Sequence, residues 1–101
     1  VTTPKRSALA PDLPTMAEAG IKDFDVFTWW GVFAPAGTPP ELVKRLSIEI
    51  GKALAAPDLR EKWLSTGAEP AANTPEEFRA FISKELPKYA RIVKESGAKV
   101  D

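Results

Sequence analysis

Acid–base chemistry in this chain would have to come from carboxylates, because its 101 residues contain neither histidine nor cysteine. That inventory excludes a histidine general base, a cysteine nucleophile, a disulfide and a zinc site built from these ligands. Two carboxylate pairs remain. Glu76 and Glu77 fall in an expected first helical turn, where acids stabilise the helix dipole. Asp23 and Asp25 flank a strand, where turn chemistry explains them as well as metal binding does. We therefore expect no enzyme, no catalytic residue, no metal ligand and no cofactor.

The residues best suited to binding are the aromatic ones of a stretch that reads Asp-Val-Phe-Thr-Trp-Trp-Gly-Val-Phe-Ala-Pro-Ala-Gly over positions 25–37. Its aromatic and β-branched residues favour a strand. Trp29 and Trp30 are adjacent, so a strand would point them to opposite faces, and both faces would need cover. Core packing explains such a pair. The alternative is the wall of a ligand cleft, where an indole offers an apolar face and a hydrogen-bond donor.

Length and charge narrow the class of protein. The chain has room for one domain with a modest core. Fourteen basic and fourteen acidic residues cancel, and no basic stretch is interleaved with aromatics, so nucleic acid is not an expected partner. The sequence has neither the apolar core of a signal peptide nor an apolar run of about 20 residues. It starts without methionine, at Val1-Thr2-Thr3, which looks like the end of a strand. We interpret it as a piece of a longer protein.

Helices are predicted on both sides of the aromatic stretch. A proline-rich loop covers residues 4–14, and Thr15-x-x-Glu18 is a capping box that opens a short helix ending at Gly20. A second box, Thr38-x-x-Glu41, opens an amphipathic helix, in which Gly51 allows close packing. The apolar stripe of this helix is predicted to consist of Leu42, Val43, Leu46, Ile50, Ala53 and Leu54. Ile48 lies outside that stripe, and we interpret it either as a single exposed apolar residue or as a contact to another molecule.

Two further helices follow. Pro57-Asp58 begins one that Gly67 ends, and a short extended piece at 68–72 leads to a third capping box, Thr74-x-x-Glu77. That box opens the longest helix, expected to kink near Lys84 to Pro87 and to end at Ser96-Gly97. Its apolar face is predicted to consist of Phe78, Phe81, Ile82, Leu86, Tyr89, Ile92 and Val93.

The order of these motifs resembles a known family. The segments that carry the resemblance are Leu-Pro-Thr-Met-Ala-Glu-Ala-Gly at 13–20, Trp-Gly-Val-Phe-Ala-Pro-Ala-Gly-Thr-Pro at 30–39, Gly-Ala-Glu-Pro at 67–70, Thr-Pro-Glu-Glu-Phe at 74–78 and Ser-Gly-Ala-Lys-Val at 96–100. Together they are similar to the C-terminal part of the Bug family, the extracytoplasmic solute receptors of tripartite tricarboxylate transporters. Pro87 and Trp29 depart from the pattern: many members have an unbroken helix at the first position and a smaller or polar residue at the second.

The resemblance implies a fold and a function. The fold would be α/β, a helix-rich fragment from the C-terminal part of a type II periplasmic binding protein, the Venus-flytrap kind. Residues 1–24 would end the second lobe, residues 25–37 would cross between the lobes, and residues 38–101 would be the helical part of the first lobe. The receptor would capture small carboxylates in the periplasm and pass them to membrane permease subunits. Its main ligand-binding loops lie in a part of the family pattern earlier than this chain.

On this interpretation Phe27, Thr28, Trp29 and Trp30 are the candidates for the hinge and the nearest wall of the ligand cleft. Hinge packing and ligand contact both remain open for them. Removing the partner lobe would leave apolar helix faces and a strand edge uncovered, so we expect the fragment to form a dimer. The alternative to a receptor fragment is an independent helical protein-interaction module, for which Ile48 and the aromatic helix face are the motivating features.

Overall fold

The computed structural model describes residues 1–99 and contains three α-helices within them. They are α1 (Pro40–Ala55), α2 (Pro57–Ser65) and α3 (Pro75–Ser96). Each starts with proline, whose missing N–H costs nothing in a first turn. Helix α1 contacts both α2 and α3. Val100 and Asp101, the end of the predicted first-lobe segment and of the last family motif, lie outside the described residues.

The ends of α3 agree with the sequence. The hydroxyl of Thr74 accepts from the N–H of Glu77 at 3.1 Å, and the Glu77 carboxylate accepts from the N–H of Thr74 at 2.8 Å. These backbone and hydroxyl hydrogen bonds of Thr74 lower the pKa of Glu77. Gly97 ends the helix with a φ of 68°, a conformation that glycine adopts without strain. The helix runs through Pro87 without interruption, and the kink near that residue stays a prediction.

The predicted capping box of α1 is wrong. The N-cap is Pro39, and no side chain caps the helix. Thr38 instead belongs to the turn that precedes the helix. Its hydroxyl donates to the carbonyl of Pro35 at 2.8 Å, and its N–H donates to the same oxygen at 3.2 Å. The hydroxyl therefore closes the turn that leads into the helix, a local bond that competes with capping.

The segment before the aromatic stretch folds as successive turns. The expected capping-box bonds between Thr15 and Glu18 are present, at 2.8 and 3.2 Å, but residues 16–20 are turns and the predicted short helix is not formed. Only one i to i+4 bond, from Ala19 to Thr15, precedes Gly20, whose φ is 88°. Two turns that end in glycine do not repay the cost of helix nucleation. A salt bridge from Arg6 to Glu18, at 2.9 Å, holds the loop against these turns.

The predicted strand within residues 25–37 has no ladder, and none of residues 1–99 is assigned to a β-strand. Residues 68–72, predicted only as a short extended piece, form neither a helix nor a strand. Exposure nevertheless alternates as in a strand: Phe27 and Trp29 are half-buried, whereas Thr28 and Trp30 are exposed. A strand needs a neighbour to hydrogen-bond with, and the described residues supply none. The observed part of the predicted α/β fold is thus its helical part.

The helices leave much apolar surface uncovered. Among the described residues no apolar side chain is fully buried, and Leu42, Leu46 and Ile48 of α1 are all exposed to a similar degree. The accessible surface is 8438 Å², whereas a compact monomer of this mass would have about 5,600 Å². The radius of gyration is 16.4 Å, against about 13 Å for a compact domain of this length. The apolar stripes exist, but this chain alone does not cover them. No described helix is long and apolar enough to cross a membrane.

Candidate functional site

Four aromatic rings join the aromatic stretch to α3. Trp29 packs edge-on against Phe78 and Phe81, with ring centroids 5.9 and 5.1 Å apart. Phe33 lies 5.3 Å from Phe78, at a tilt of 50°. Edge-to-face pairs at these separations are favourable beyond the area that they bury. The cluster fixes residues 29–33 on the first turns of α3.

Gly31 lies between two of these aromatic residues, where a side chain has no room. A Cβ atom at this position would overlap the ring tip of Phe78 and lie 3.2 Å from Cε2 of Phe33. The glycine therefore permits the close approach of the segment to α3. Gly51 in α1 differs, because a Cβ atom there would meet the Cβ of Ala72 at an ordinary 3.7 Å. The close packing expected at Gly51 does not require glycine.

Polar side chains near the middle of α3 hold the start of the stretch. Lys88 donates to the backbone carbonyl of Asp25 at 3.1 Å and lies 3.6 Å from the Asp25 carboxylate. Its ammonium group also pairs with Glu85 one turn earlier. The hydroxyl of Tyr89 donates to the carbonyl of Phe27 at 3.0 Å. We refer to Asp25, Glu85, Lys88 and Tyr89 as the clamp.

The α3 side of the clamp is shielded from water, whereas Asp25 is exposed: the side chains of Glu85 and Lys88 are 9% and 16% exposed, and that of Asp25 is 54% exposed. Burial works against the charged form of Lys88, but the hydrogen bond to Glu85 and the charge of Asp25 outweigh it and raise the pKa of Lys88 above its ordinary 10.5. The lysine is therefore charged at neutral pH. Glu85 is only 7% exposed, and its Oε2 atom has no hydrogen-bond partner within residues 1–99. A buried carboxylate is costly without a cation, so Glu85 depends on Lys88.

A hollow of about 430 Å³ opens beside the clamp and the aromatic cluster. It is lined by Trp29, Phe33, Ile82, Glu85, Leu86 and Tyr89. A smaller hollow, of about 220 Å³, lies against α2 beside Leu59 and Trp63. Lys62 and Thr66 also line the smaller hollow, but the exposed walls of both hollows are almost entirely apolar. No group of three or more acidic residues in the described part of the chain could hold a metal ion. These surfaces are suited to packing rather than to chemistry.

The four candidate residues lie on opposite sides of the stretch. Phe27 and Trp29 face α3, and the Lys88 ammonium lies 5.7 Å from the Phe27 ring. Thr28 and Trp30 are exposed, Trp30 by 76%. The opposite orientation expected of Trp29 and Trp30 is thus present. Whether any of the four contacts a ligand stays a prediction.

Sequence reasoning missed the clamp. Glu85, Lys88 and Tyr89 follow helical spacing, and Glu85 falls in the middle of the apolar face formed by Phe81, Ile82 and their neighbours. An acid at the centre of an apolar stripe was the available signal, because a charge there needs a partner. The cation that pairs with Glu85 is Lys88, three residues further along the helix. Asp25, which completes the clamp, lies 63 residues from Lys88 along the chain and has no sequence signature.

Comparison with known proteins places the chain in a family. A family model described as the tripartite tricarboxylate transporter family receptor matches residues 1–98. A protein of the tcbD-tcbE intergenic region of Pseudomonas sp. is 42% identical over 96 residues, which are 94% of this chain and 29% of that protein. BugT of Bordetella pertussis is 39% identical over 95 residues, with the same coverage of both.

A third relative extends this similarity to another organism. A protein of the TAR-I ttuE-ttuC' intergenic region of Agrobacterium vitis is 34% identical over 100 residues, covering 96% of this chain and 29% of its own length. The chain thus spans less than a third of the length of these curated relatives. The family match nevertheless covers almost every residue described above, including the aromatic stretch and all three helices. The chain belongs to the receptor family of the tripartite tricarboxylate transporters.

Proposed function

We propose that this chain is part of a periplasmic solute receptor that captures small carboxylates and delivers them to the membrane permease subunits of a tripartite transporter. The family match over residues 1–98 supports the receptor role, and the family name supports the carboxylate class. The match to BugT likewise covers 94% of this chain. The proposal includes no catalytic step.

The observation that carries the structural side of the proposal is the two-sided aromatic stretch. One face of it lies against α3 through the half-buried Trp29 and through Phe33, which contacts Phe78 but is 65% exposed. The other face presents Trp30 and Val32, exposed by 76% and 73%. A strand with apolar side chains on both faces requires cover on both. In a type II, Venus-flytrap receptor this cover would come from two lobes, with residues 25–37 crossing between residues 1–24 of one lobe and residues 38–101 of the other.

Phe27, Thr28, Trp29 and Trp30 then act mainly as the hinge and the nearest cleft wall. The anchoring of Trp29 in the aromatic cluster favours hinge packing for that residue. Trp30 and Thr28 are the two that remain accessible. The groups that hold the carboxylate itself would lie outside this chain, because the exposed walls of its own hollows are almost entirely apolar.

A thermal-shift screen of the full-length receptor tests the proposal. We expect at least one di- or tricarboxylate to raise the melting temperature, because a ligand that binds only the folded state stabilises it by mass action. The diamide analogue of the same compound is the matched control and should have no effect. This chain alone should not respond. Equal shifts with acid and amide, or micromolar binding by the chain alone, would contradict the proposal.

A helical interaction module without ligand binding is the competing function, and no observation favours it. Ile48 and the aromatic helix face were its motivating features. The aromatic face is contacted by Trp29 and Phe33 of this same chain, and Ile48 is 50% exposed while Leu42 and Leu46 are each 46% exposed. Ile48 therefore does not stand out as a contact residue.

Self-association of the isolated chain follows from the same exposed surface. Its accessible area exceeds that of a compact monomer by about 2,800 Å², more than the roughly 800 Å² that each partner buries in a standard interface. We expect a dimer in size-exclusion chromatography with light scattering. A monomer at millimolar concentration would be the contrary result.

A further inference from the structure

The first 21 residues are held together by contacts among themselves. The N–H of Met16 donates to the carbonyl of Val1 at 3.0 Å, and the N–H of Ile21 donates to the carbonyl of Met16 at 2.9 Å. The salt bridge between the proline-rich loop and the turns belongs to the same part of the chain. Residues 1–21 therefore form one unit, and the bond from Ile21 is its last backbone hydrogen bond.

The next attachment along the chain is the clamp. The carbonyls of Asp25 and Phe27 accept hydrogen bonds from Lys88 and Tyr89 of α3. The aromatic cluster then continues the attachment as far as residue 33. Residues 25–33 are therefore fixed on α3, and a rotation of this helix carries them with it.

Three residues connect these two units without being attached to either. Within residues 1–99, no hydrogen bond involves a backbone group of Lys22, Asp23 or Phe24, and all three are exposed. Asp23 has a φ of 58° and is the one non-glycine residue of the described chain with a positive φ. Aspartate tolerates this left-handed conformation better than most residues do. Hinges consist of a few loop residues that can absorb such backbone changes.

Few contacts tie the first unit to the helices by another route. Among the described residues, no hydrogen bond or salt bridge joins residues 1–21 to any of the three helices. The side chain of Leu9 approaches Gly67 after α2, where an added Cβ atom would lie 3.8 Å from it. Leu9 nevertheless stays 60% exposed. The connection through residues 22–24 is thus free to bend.

We propose that residues 22–24 are the point at which this crossing bends when the lobes of the receptor move relative to each other. The four candidate residues, 27–30, are then the packed part of the hinge and travel with the lobe that contains α3. Lys88 and Tyr89 are positioning residues, because their bonds set the boundary between the bend and the fixed stretch. The inference deepens the proposed function and rests on it for the existence of two lobes.

Distances between pairs of spin labels in the full-length receptor, without solute and without other cysteines, test this inference. One pair, Ala17→Cys with Lys94→Cys, spans the proposed bend. The control pair, Thr28→Cys with Lys94→Cys, lies on one side of it. Electron–electron resonance should give a distance distribution at least about twice as wide for the first pair, because a hinge spreads only that distance. Equal widths would overturn the proposal, whether both are narrow or both are broad.

Two substitutions at Asp23 test the bending point itself. Valine is β-branched and disfavours the left-handed conformation, whereas glycine adopts it freely. Asp23→Val should therefore shift the mean Ala17–Lys94 distance by about 5 Å or more, and Asp23→Gly should leave that mean unchanged. The Thr28–Lys94 mean should stay the same in both variants. An unshifted Ala17–Lys94 mean in Asp23→Val, or a shift of the Thr28–Lys94 mean, would overturn the proposal. Because no solute is present, a receptor that fails to bind carboxylates would still show where it bends.

Discussion

Replacing Lys88 with methionine is expected to lower the free energy of unfolding of the full-length receptor by about 3–5 kcal/mol. The reason is the carboxylate of Glu85, which is 7% exposed and pairs with Lys88. Removing the cation leaves a buried charge without compensation. The substitution also removes the bond to the carbonyl of Asp25. Urea unfolding followed by tryptophan fluorescence measures the loss.

The double variant Glu85→Leu with Lys88→Met is the matched control. It removes both charges and replaces them with apolar side chains of similar length, an exchange that is often neutral or stabilising for buried pairs. Most of the stability lost in Lys88→Met should therefore return. If the double variant were as unstable as Lys88→Met alone, the uncompensated charge of Glu85 would not be the cause. A single variant as stable as the natural protein would show that the clamp contributes nothing.

The substitution Gly31→Ala is expected to cost about 1–3 kcal/mol, the range for inserting a group into a well-packed site. The added methyl would overlap the ring of Phe78, which Trp29 and Phe81 restrain from the other sides. The segment would have to move away from α3, and the aromatic cluster would loosen. The same unfolding measurement gives the size of the effect, and the near-ultraviolet circular dichroism of the tryptophans should weaken.

Gly51→Ala makes the same chemical change where there is room for it. Its Cβ would lie 3.7 Å from Ala72, and glycine inside a helix costs about 1 kcal/mol relative to alanine. This variant should therefore be more stable by up to that amount. Opposite signs for the two glycines are the expected result. If both substitutions stabilised the protein, the close approach at Gly31 would be refuted.

The sequence predicted the three long helices correctly, but it failed for one helix cap and for the short helix near the N-terminus. The capping box at Thr74, the terminal Gly97 and the helix that begins at Pro57 depend on neighbours within four residues, so local patterns are enough. The box at Thr38 failed because the Thr38 hydroxyl donates to the carbonyl of Pro35 in the preceding turn and does not accept from the first turn of the helix. The short helix at Thr15 failed because two turns that end in glycine are too short to offset the cost of helix nucleation.

The candidate site was predicted only in part. The opposite orientations of Trp29 and Trp30 follow from the strand period and are present. The hydrogen bonds from Lys88 to Asp25 and from Tyr89 to Phe27 span more than 60 residues, and a periodic pattern carries no information on such pairs. No ladder forms within residues 1–99, and a ladder needs two paired segments, so the strand prediction depended on a partner that a local pattern does not reveal.

A calorimetric titration of the full-length receptor with the carboxylate that gives the largest thermal shift tests the central claim most directly. We expect saturable binding of one ligand per chain, and no measurable heat from the corresponding diamide. A receptor of this kind that bound acid and amide alike would not recognise carboxylates. Absence of binding across di- and tricarboxylates would contradict the claim that this aromatic stretch and its helices belong to a carboxylate receptor.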